Sequence, residues 1–140
     1  MVPNQHKMRV MEAVADRNLA SVMNDTKWRE LQDAVLNELL FPPPYQIKYV
    51  MEDQLYPEEF ESDVWYWGDW IEGIDPFYNV EWIRVRPRYL KHRGRLVSPE
   101  VVDIADDFGK ILKELSIPYR LDQDTYTIYG YISEMSLLTK

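Results

Sequence analysis

The chain has 140 residues, of which 46% are hydrophobic and none is cysteine, and it carries a net charge of −8 at pH 7. This length fits one domain with its own core, and the apolar content argues against global disorder. The lack of cysteine excludes a disulfide framework, a thiolate nucleophile and a cysteine-ligated zinc site.

The first residues form a moderately amphipathic segment. Residues 5–20 carry a thin apolar stripe, which predicts a helical extension over residues 1–22. A better-patterned segment begins at Met23, so we expect a single α+β domain over residues 23–140 and hold Met23 as a hypothetical translation start.

A second helix is expected to follow, with Asp25 or Thr26 as its cap. Its apolar residues recur at helical spacing and form one stripe: Trp28, Leu31, Val35 and Leu39. The Phe-Pro-Pro-Pro run at residues 41–44 ends this helix, because proline lacks an amide donor and disfavours helix in the preceding residue. A strand is predicted over residues 45–51.

An acidic block, residues 50–82, contains ten carboxylates and no lysine or arginine. The carboxylates belong to Glu52, Asp53, Glu58, Glu59, Glu61, Asp63, Asp69, Glu72, Asp75 and Glu81. Its glycines and prolines predict a loop, with a short helix near residues 57–62 and a short strand near residues 64–67. Long irregular segments are uncommon in compact domains and are often functional, so we place the candidate binding site here.

The charge reverses directly after the acidic block, since residues 84–95 contain six basic residues and no acidic one. Residues 80–89 alternate as a strand, which places Ile83, Val85 and Tyr89 on the core face. The opposite face carries Trp82, Arg84, Arg86 and Arg88.

The last third of the chain predicts a helix and a hairpin. Ser98 is the expected N-cap and Pro99 the first helical residue, and an apolar stripe runs from Val101 to Leu115. Strands are predicted over residues 118–121 and 125–132, followed by a short helix or a frayed end. The whole pattern predicts an antiparallel sheet of about four to five strands packed against two to three helices.

The acidic block favours a protein-binding role. Aromatic anchors supply desolvated contact area and carboxylates accelerate encounter, so the pattern suits a basic protein partner. The predicted partner-binding residues are Asp63, Trp65, Trp67, Asp69, Trp70 and Glu72. The competing interpretation is that each of the three indoles packs in the core.

The basic strand offers an alternative. A row of guanidinium groups beside an indole suits nucleic acid, and the residues of this alternative basic face are Trp82, Arg84, Arg86, Arg88 and Arg93. We favour the interpretation that these arginines pair with the protein's own acidic block, because ten nearby carboxylates repel a phosphate backbone.

Enzyme chemistry has little support in the sequence. The two histidines lie in unrelated segments, and residues 69–73 do not match a calcium loop, so we expect no metal and no cofactor. There is no nucleophile elbow and no glycine-rich phosphate loop. A small carboxylate-dependent enzyme remains a second alternative, and a binding protein is favoured over an enzyme.

No apolar run approaches the roughly 20 residues that span a membrane, and the first residues lack the apolar core of a signal peptide. The sequence therefore predicts a cytoplasmic protein that does not associate with membranes.

Several short segments carry a resemblance. They are residues 24–28 (NDTKW), 41–45 (FPPPY), 68–70 (GDW), 80–83 (VEWI) and 128–131 (IYGY). Together they resemble a family of small uncharacterised bacterial proteins, over about residues 23–132. No catalytic residues are assigned in that family, so the resemblance implies none here. In size, acidity and tryptophan content the chain is also similar in type to immunity proteins, which neutralise toxins.

Overall fold

The computed structural model describes residues 4–139. The helices are α1 (Gln5–Asp16), α2 (Asp25–Glu38) and α3 (Ala105–Glu114), with single 3₁₀ turns at Phe77–Asn79 and Met135–Leu137. The strands are β1 (Ala20–Ser21), β2 (Tyr45–Tyr49), β3 (Leu55–Tyr56), β4 (Val80–Val85), β5 (Arg88–Lys91), β6 (Glu100–Asp103), β7 (Arg120–Asp122), β8 (Thr125–Tyr129) and β9 (Tyr131–Ile132).

The main sheet has five antiparallel strands in the order β3-β2-β4-β8-β7. Ile83 in β4 lies opposite Ile47 in β2 and opposite Ile128 in β8. Because side chains alternate along a strand, these three residues share one apolar face. The register places polar and basic residues and one tryptophan on the other face: Gln46, Lys48, Trp82, Arg84 and Thr127.

Helices α2 and α3 pack on the apolar face. Trp28, Leu31 and Val35 of α2 are buried, as the helical spacing predicted. They join Phe108 and Leu112 of α3 in one core cluster with the sheet residues. This confirms the predicted α+β fold, with three helices and a five-stranded antiparallel sheet among residues 4–139.

The cap of α2 differs from the prediction. Asn24 has an extended backbone, and its side chain accepts a hydrogen bond from the backbone amide of Lys27 at 2.8 Å. The cap is therefore one residue earlier than Asp25, because only a residue outside the helical conformation can turn its side chain back onto the first amides.

Two segments of the second half are assigned differently from the sequence. The single strand predicted over residues 80–89 is two strands, since Pro87 has no amide to donate to a ladder. The helix predicted to begin after Ser98 begins only at Ala105, and residues 100–103 form β6, paired with β5. The valines at 101 and 102 fit a strand better than a first helical turn, because β-branched side chains pack well on a pleated surface.

The acidic block is irregular, as predicted, but its expected helix near residues 57–62 and strand near residues 64–67 do not form. It contains the short strand β3, which pairs with β2 at the sheet edge, and its last three residues begin β4. The C-terminal hairpin is confirmed: β7 and β8 pair, and Gln123 at the turn has a positive φ of 56°.

The N-terminal segment contacts the rest of the domain. Val10 of α1 is fully buried in a small cluster with Val50 and Tyr131. Strand β1 pairs with β9. That residues 1–22 form a separable extension, and that Met23 is a start, stay predictions.

Glu81 links this N-terminal segment to the sheet. Its Oε1 accepts hydrogen bonds from Arg17 Nη1 at 2.7 Å and from Lys48 Nζ at 2.9 Å. Burial acts to raise the pKa of Glu81, but the hydrogen bonds and charges of the two cations outweigh it and hold the pKa below its ordinary value of 4.5.

We therefore expect Glu81→Gln to lower the free energy of unfolding by about 1–2 kcal/mol at pH 7. A depressed pKa stabilises the fold above the unfolded value, and this contribution is lost as the pH falls through the folded value. The difference between Glu81→Gln and wild type should therefore shrink as the pH falls below about 4.5. Urea denaturation at several pH values measures it. Glu114→Gln, in an exposed helix pair, is the control, and an equal effect of both variants at pH 7 would contradict the prediction.

Candidate functional site

The acidic block is pinned to the domain by buried side chains. Val64, Trp70 and Ile74 are all buried. The Trp70 Nε1 donates a hydrogen bond to the Pro43 carbonyl oxygen at 2.7 Å, and its ring meets the Tyr45 ring edge-on. The block is therefore a fixed surface despite its irregular backbone.

This burial corrects one predicted site residue. Trp70 is only 1% exposed, and its ring packs against Phe108 in the core. We predicted that Trp70 contacts a partner, but its indole is inaccessible to one. For this residue the competing interpretation, core packing, is right.

Trp65 and Trp67, here called the indole pair, are 51% and 52% exposed. Trp65 stacks on His92 with ring centroids 4.2 Å apart. Trp67 stacks on Phe41 at 6.1 Å and meets Tyr89 edge-on at 5.7 Å. Each indole is thus supported on one side by another ring and open to solvent on the other.

The three predicted acidic residues differ in the partners of their carboxylates. Asp63 forms an ion pair with Arg88, whose Nε donates to Oδ1 at 2.6 Å. Asp69 Oδ1 accepts hydrogen bonds from the backbone amides of Ile71 and Glu72 at 3.1 and 3.0 Å, which closes a turn. Glu72 is exposed and forms no ion pair with the other residues of 4–139. Of the three, Glu72 is the one whose carboxylate has no hydrogen bond or ion pair within residues 4–139.

The alternative basic face is largely engaged with the protein itself. The Arg84 guanidinium lies 4.3 Å from the Trp82 ring centroid. Arg86 Nε donates to Thr125 Oγ1 at 3.1 Å, and its Nη1 donates to the Phe60 carbonyl oxygen in the acidic block.

The remaining arginines of this face have partners as well. Arg88 pairs with Asp63 and, at 3.3 Å, with Asp124. Arg93 Nε donates to the Ser98 carbonyl oxygen at 3.0 Å. The favoured interpretation, in which the basic strand pairs with the acidic block, therefore describes Arg86 and Arg88.

A cleft that the sequence did not reveal lies between β2 and the acidic block, with a volume of about 620 Å³. We call it the tyrosine cleft. Its lining residues are Tyr45, Ile47, Tyr49, Glu52, Tyr56, Pro57, Tyr66, Trp67, Gly68, Asp69, Gly73, Asp75, Pro76 and Asn79. A signal existed, because Tyr45, Ile47 and Tyr49 alternate on one face of a predicted strand.

The tyrosine cleft is aromatic and acidic, and no lysine, arginine or histidine lines it. Burial raises the pKa of Tyr45 and of Tyr49, so both hydroxyls stay neutral at physiological pH. The Tyr45 hydroxyl donates to the Asp69 carbonyl oxygen at 2.5 Å, and the Tyr56 hydroxyl donates to Glu52 Oε1 at 2.8 Å. Two of the phenols are thus fixed in position by hydrogen bonds.

Comparison with protein families gives one finding. Residues 10–135 match the model of a family of unknown function, DUF6678. The chain belongs to this family. The DUF6678 match confirms the resemblance to an uncharacterised family and extends beyond the segments that suggested it. It also contains the indole pair and the tyrosine cleft.

No curated protein and no solved structure matches this DUF6678 chain. Within residues 4–139, no three histidine or acidic side chains come close enough together to hold a metal ion. The helices in that range are all too short or too polar to cross a membrane.

Proposed function

We propose that this DUF6678 protein is a cytoplasmic binding protein whose indole pair and acidic block cover a basic surface on a protein partner. Inhibition of that partner, in the manner of an immunity protein, would be steric and electrostatic and would need no cofactor. The observation that carries the proposal is the pair of half-exposed, ring-supported indoles at Trp65 and Trp67 in an acidic surface.

The indole pair has the properties of a binding anchor. Exposed tryptophans are unusual on a surface without a partner, and tryptophan is enriched among the residues that dominate binding energy. Since each ring already rests on a neighbouring ring, little side-chain freedom is lost on binding.

The charge around the indole pair supports a basic partner. Six carboxylates of the acidic block are exposed and form neither an ion pair nor a side-chain hydrogen bond within residues 4–139: Asp53, Glu58, Glu59, Glu61, Glu72 and Asp75. Carboxylates at the rim of an interface steer a basic protein toward it and raise the association rate.

The two alternatives have weaker support. Nucleic-acid binding needs cations that are available to phosphates, whereas Arg86 and Arg88 are held by the acidic block. A carboxylate-dependent enzyme needs an acid or base that can exchange protons with a substrate, whereas Oδ1 of Asp69 already accepts hydrogen bonds from two backbone amides.

The test is capture of a partner from the native host by the immobilised wild-type protein and by two variants with confirmed circular dichroism spectra. We expect wild type to retain a basic protein, and the double variant Trp65→Ala/Trp67→Ala to bind it at least about 30-fold more weakly. Trp82→Ala, in strand β4 and outside the indole pair, is the matched control and should bind as wild type does. Retention should also weaken with added salt.

Equal capture by wild type and the indole double variant would overturn the proposal. So would salt-sensitive retention of nucleic acid that is lost on Arg84→Ala, since that result would select the basic face.

A further inference from the structure

We propose that the tyrosine cleft is a guanidinium-binding site that takes one arginine side chain. The inference deepens the proposed function and rests on it for the source of that arginine, a basic protein partner. Trp67 joins the two features, because it belongs to the indole pair and also lines the cleft. A partner that covers the indole pair therefore has the cleft within reach.

The charge of the cleft selects a cation. Glu52, Asp69 and Asp75 line it, and no basic side chain does. An anionic ligand would be repelled, and a neutral ligand would leave the carboxylates without a counter-charge. The volume of about 620 Å³ lies within the range of small-ligand sites, roughly 300–1,000 Å³, so the cleft has room for a side-chain group.

The aromatic lining selects an organic cation. Five aromatic residues line the cleft: Tyr45, Tyr49, Tyr56, Tyr66 and Trp67. The rings of Tyr49 and Tyr56 meet at 63° with centroids 6.1 Å apart, so they form a corner. Ring faces attract cations, and they attract a planar, weakly hydrated guanidinium more than a strongly hydrated metal ion.

Asn79 supplies an independent observation. It lines the cleft, is 6% exposed, and its Oδ1 has no hydrogen-bond partner. The residue is held in place by its backbone, whose amide donates to Pro76 and whose carbonyl oxygen accepts from Val50 at 2.7 Å. Since nearly all buried polar atoms in folded proteins are paired, this unpaired acceptor on a residue that lines the cleft is a group that a ligand with donors would satisfy.

Guanidinium fits this set of groups better than ammonium does. It has five N–H donors in a planar fork and no acceptor, so it can bond to a carboxylate and an amide oxygen while its face rests on a ring. Ammonium has three donors and no flat face.

The test titrates the full chain with N-acetyl-arginine methylamide and follows the side-chain amide of Asn79 and the backbone amide of Gly73 by NMR. We expect saturable shifts with this probe. The citrulline analogue, which keeps the shape but loses the charge, should bind at least about 10-fold more weakly, and the lysine analogue should be weaker than arginine. Asp75→Asn or, should that variant not fold, Glu52→Gln should weaken binding about 10-fold, whereas Asp53→Asn, outside the cleft, should not.

The inference is overturned by an absence of shifts in wild type, or by equal binding of the arginine and citrulline probes. Agmatine binding more than about 10-fold tighter than the blocked arginine would overturn the assignment to a protein side chain. These experiments contain no partner protein. A negative result for arginine binding in the cleft is thus distinguishable from a negative result for the proposed function, which is tested by capture of a partner through the indole pair.

Discussion

Replacing Trp70 by alanine is expected to lower the free energy of unfolding by about 3–5 kcal/mol, whereas the same change at Trp67 should cost less than about 1 kcal/mol. Trp70 is 1% exposed, and Trp67 is 52% exposed three residues away. Removing the Trp70 ring leaves a cavity beside Tyr45 and Phe108 and leaves the Pro43 carbonyl oxygen without its donor.

Urea denaturation followed by circular dichroism measures both variants. A loss of 3–5 kcal/mol is a large share of the roughly 5–15 kcal/mol by which a typical domain is stable, so Trp70→Phe is included as a less destabilising variant. Its free energy of unfolding should lie between those of wild type and Trp70→Ala. An equal decrease in the free energy of unfolding for Trp67→Ala and Trp70→Ala would show that the acidic block is not held to the domain through Trp70.

Gly130→Ala is expected to destabilise the protein by about 3 kcal/mol or more. Gly130 lies between β8 and β9, and its amide donates to the Glu81 carbonyl oxygen of the central strand β4 at 2.8 Å. A Cβ at this position would collide with the Val80 carbonyl oxygen and lie 3.2 Å from its carbon. Both are backbone atoms of a strand paired on both sides, so they cannot move aside.

Gly109→Ala is the matched control. Its added Cβ would meet the Tyr126 hydroxyl, which is a side-chain atom and not part of a paired strand backbone, and alanine improves helix propensity in α3. We expect a loss smaller than that of Gly130→Ala by at least about 1 kcal/mol, measured by thermal unfolding of both variants. A loss at Gly109 as large as that at Gly130 would contradict the explanation by backbone collision.

The fold could be predicted where apolar spacing is regular. Trp28, Leu31 and Val35 identified α2, alternation identified β4, and strands were also predicted at β2 and at the β7–β8 hairpin. The prediction failed at residues 98–104, where a serine-proline pair resembles a helix start although the following valines pair with β5. Tertiary pairing overrides local capping signals at such a point, and a distant partner strand is not visible in a local pattern.

The candidate site was less predictable. Position in the sequence could not separate Trp70 from Trp67, because a loop has no period that marks its buried face. The tyrosine cleft forms only when β2 and the acidic block are folded against each other. Asn79 could not be singled out from the sequence, because the unpaired state of its Oδ1 is visible only in the folded structure. That arginines of the basic strand pair with the acidic block, as Arg88 does with Asp63, was in contrast predicted from two adjacent segments of opposite charge.

The strand order has a consequence for how the chain folds during synthesis. Strand β4 occupies the centre of the main sheet, and one of its neighbours, β8, lies more than 40 residues further along the chain. Such non-local pairing slows folding, since the entropy of a long segment is lost before the stabilising contacts between the two strands form. We expect the nascent chain to keep one side of β4 unpaired until residue 129 has left the ribosome, which makes that exposed strand the point most vulnerable to aggregation.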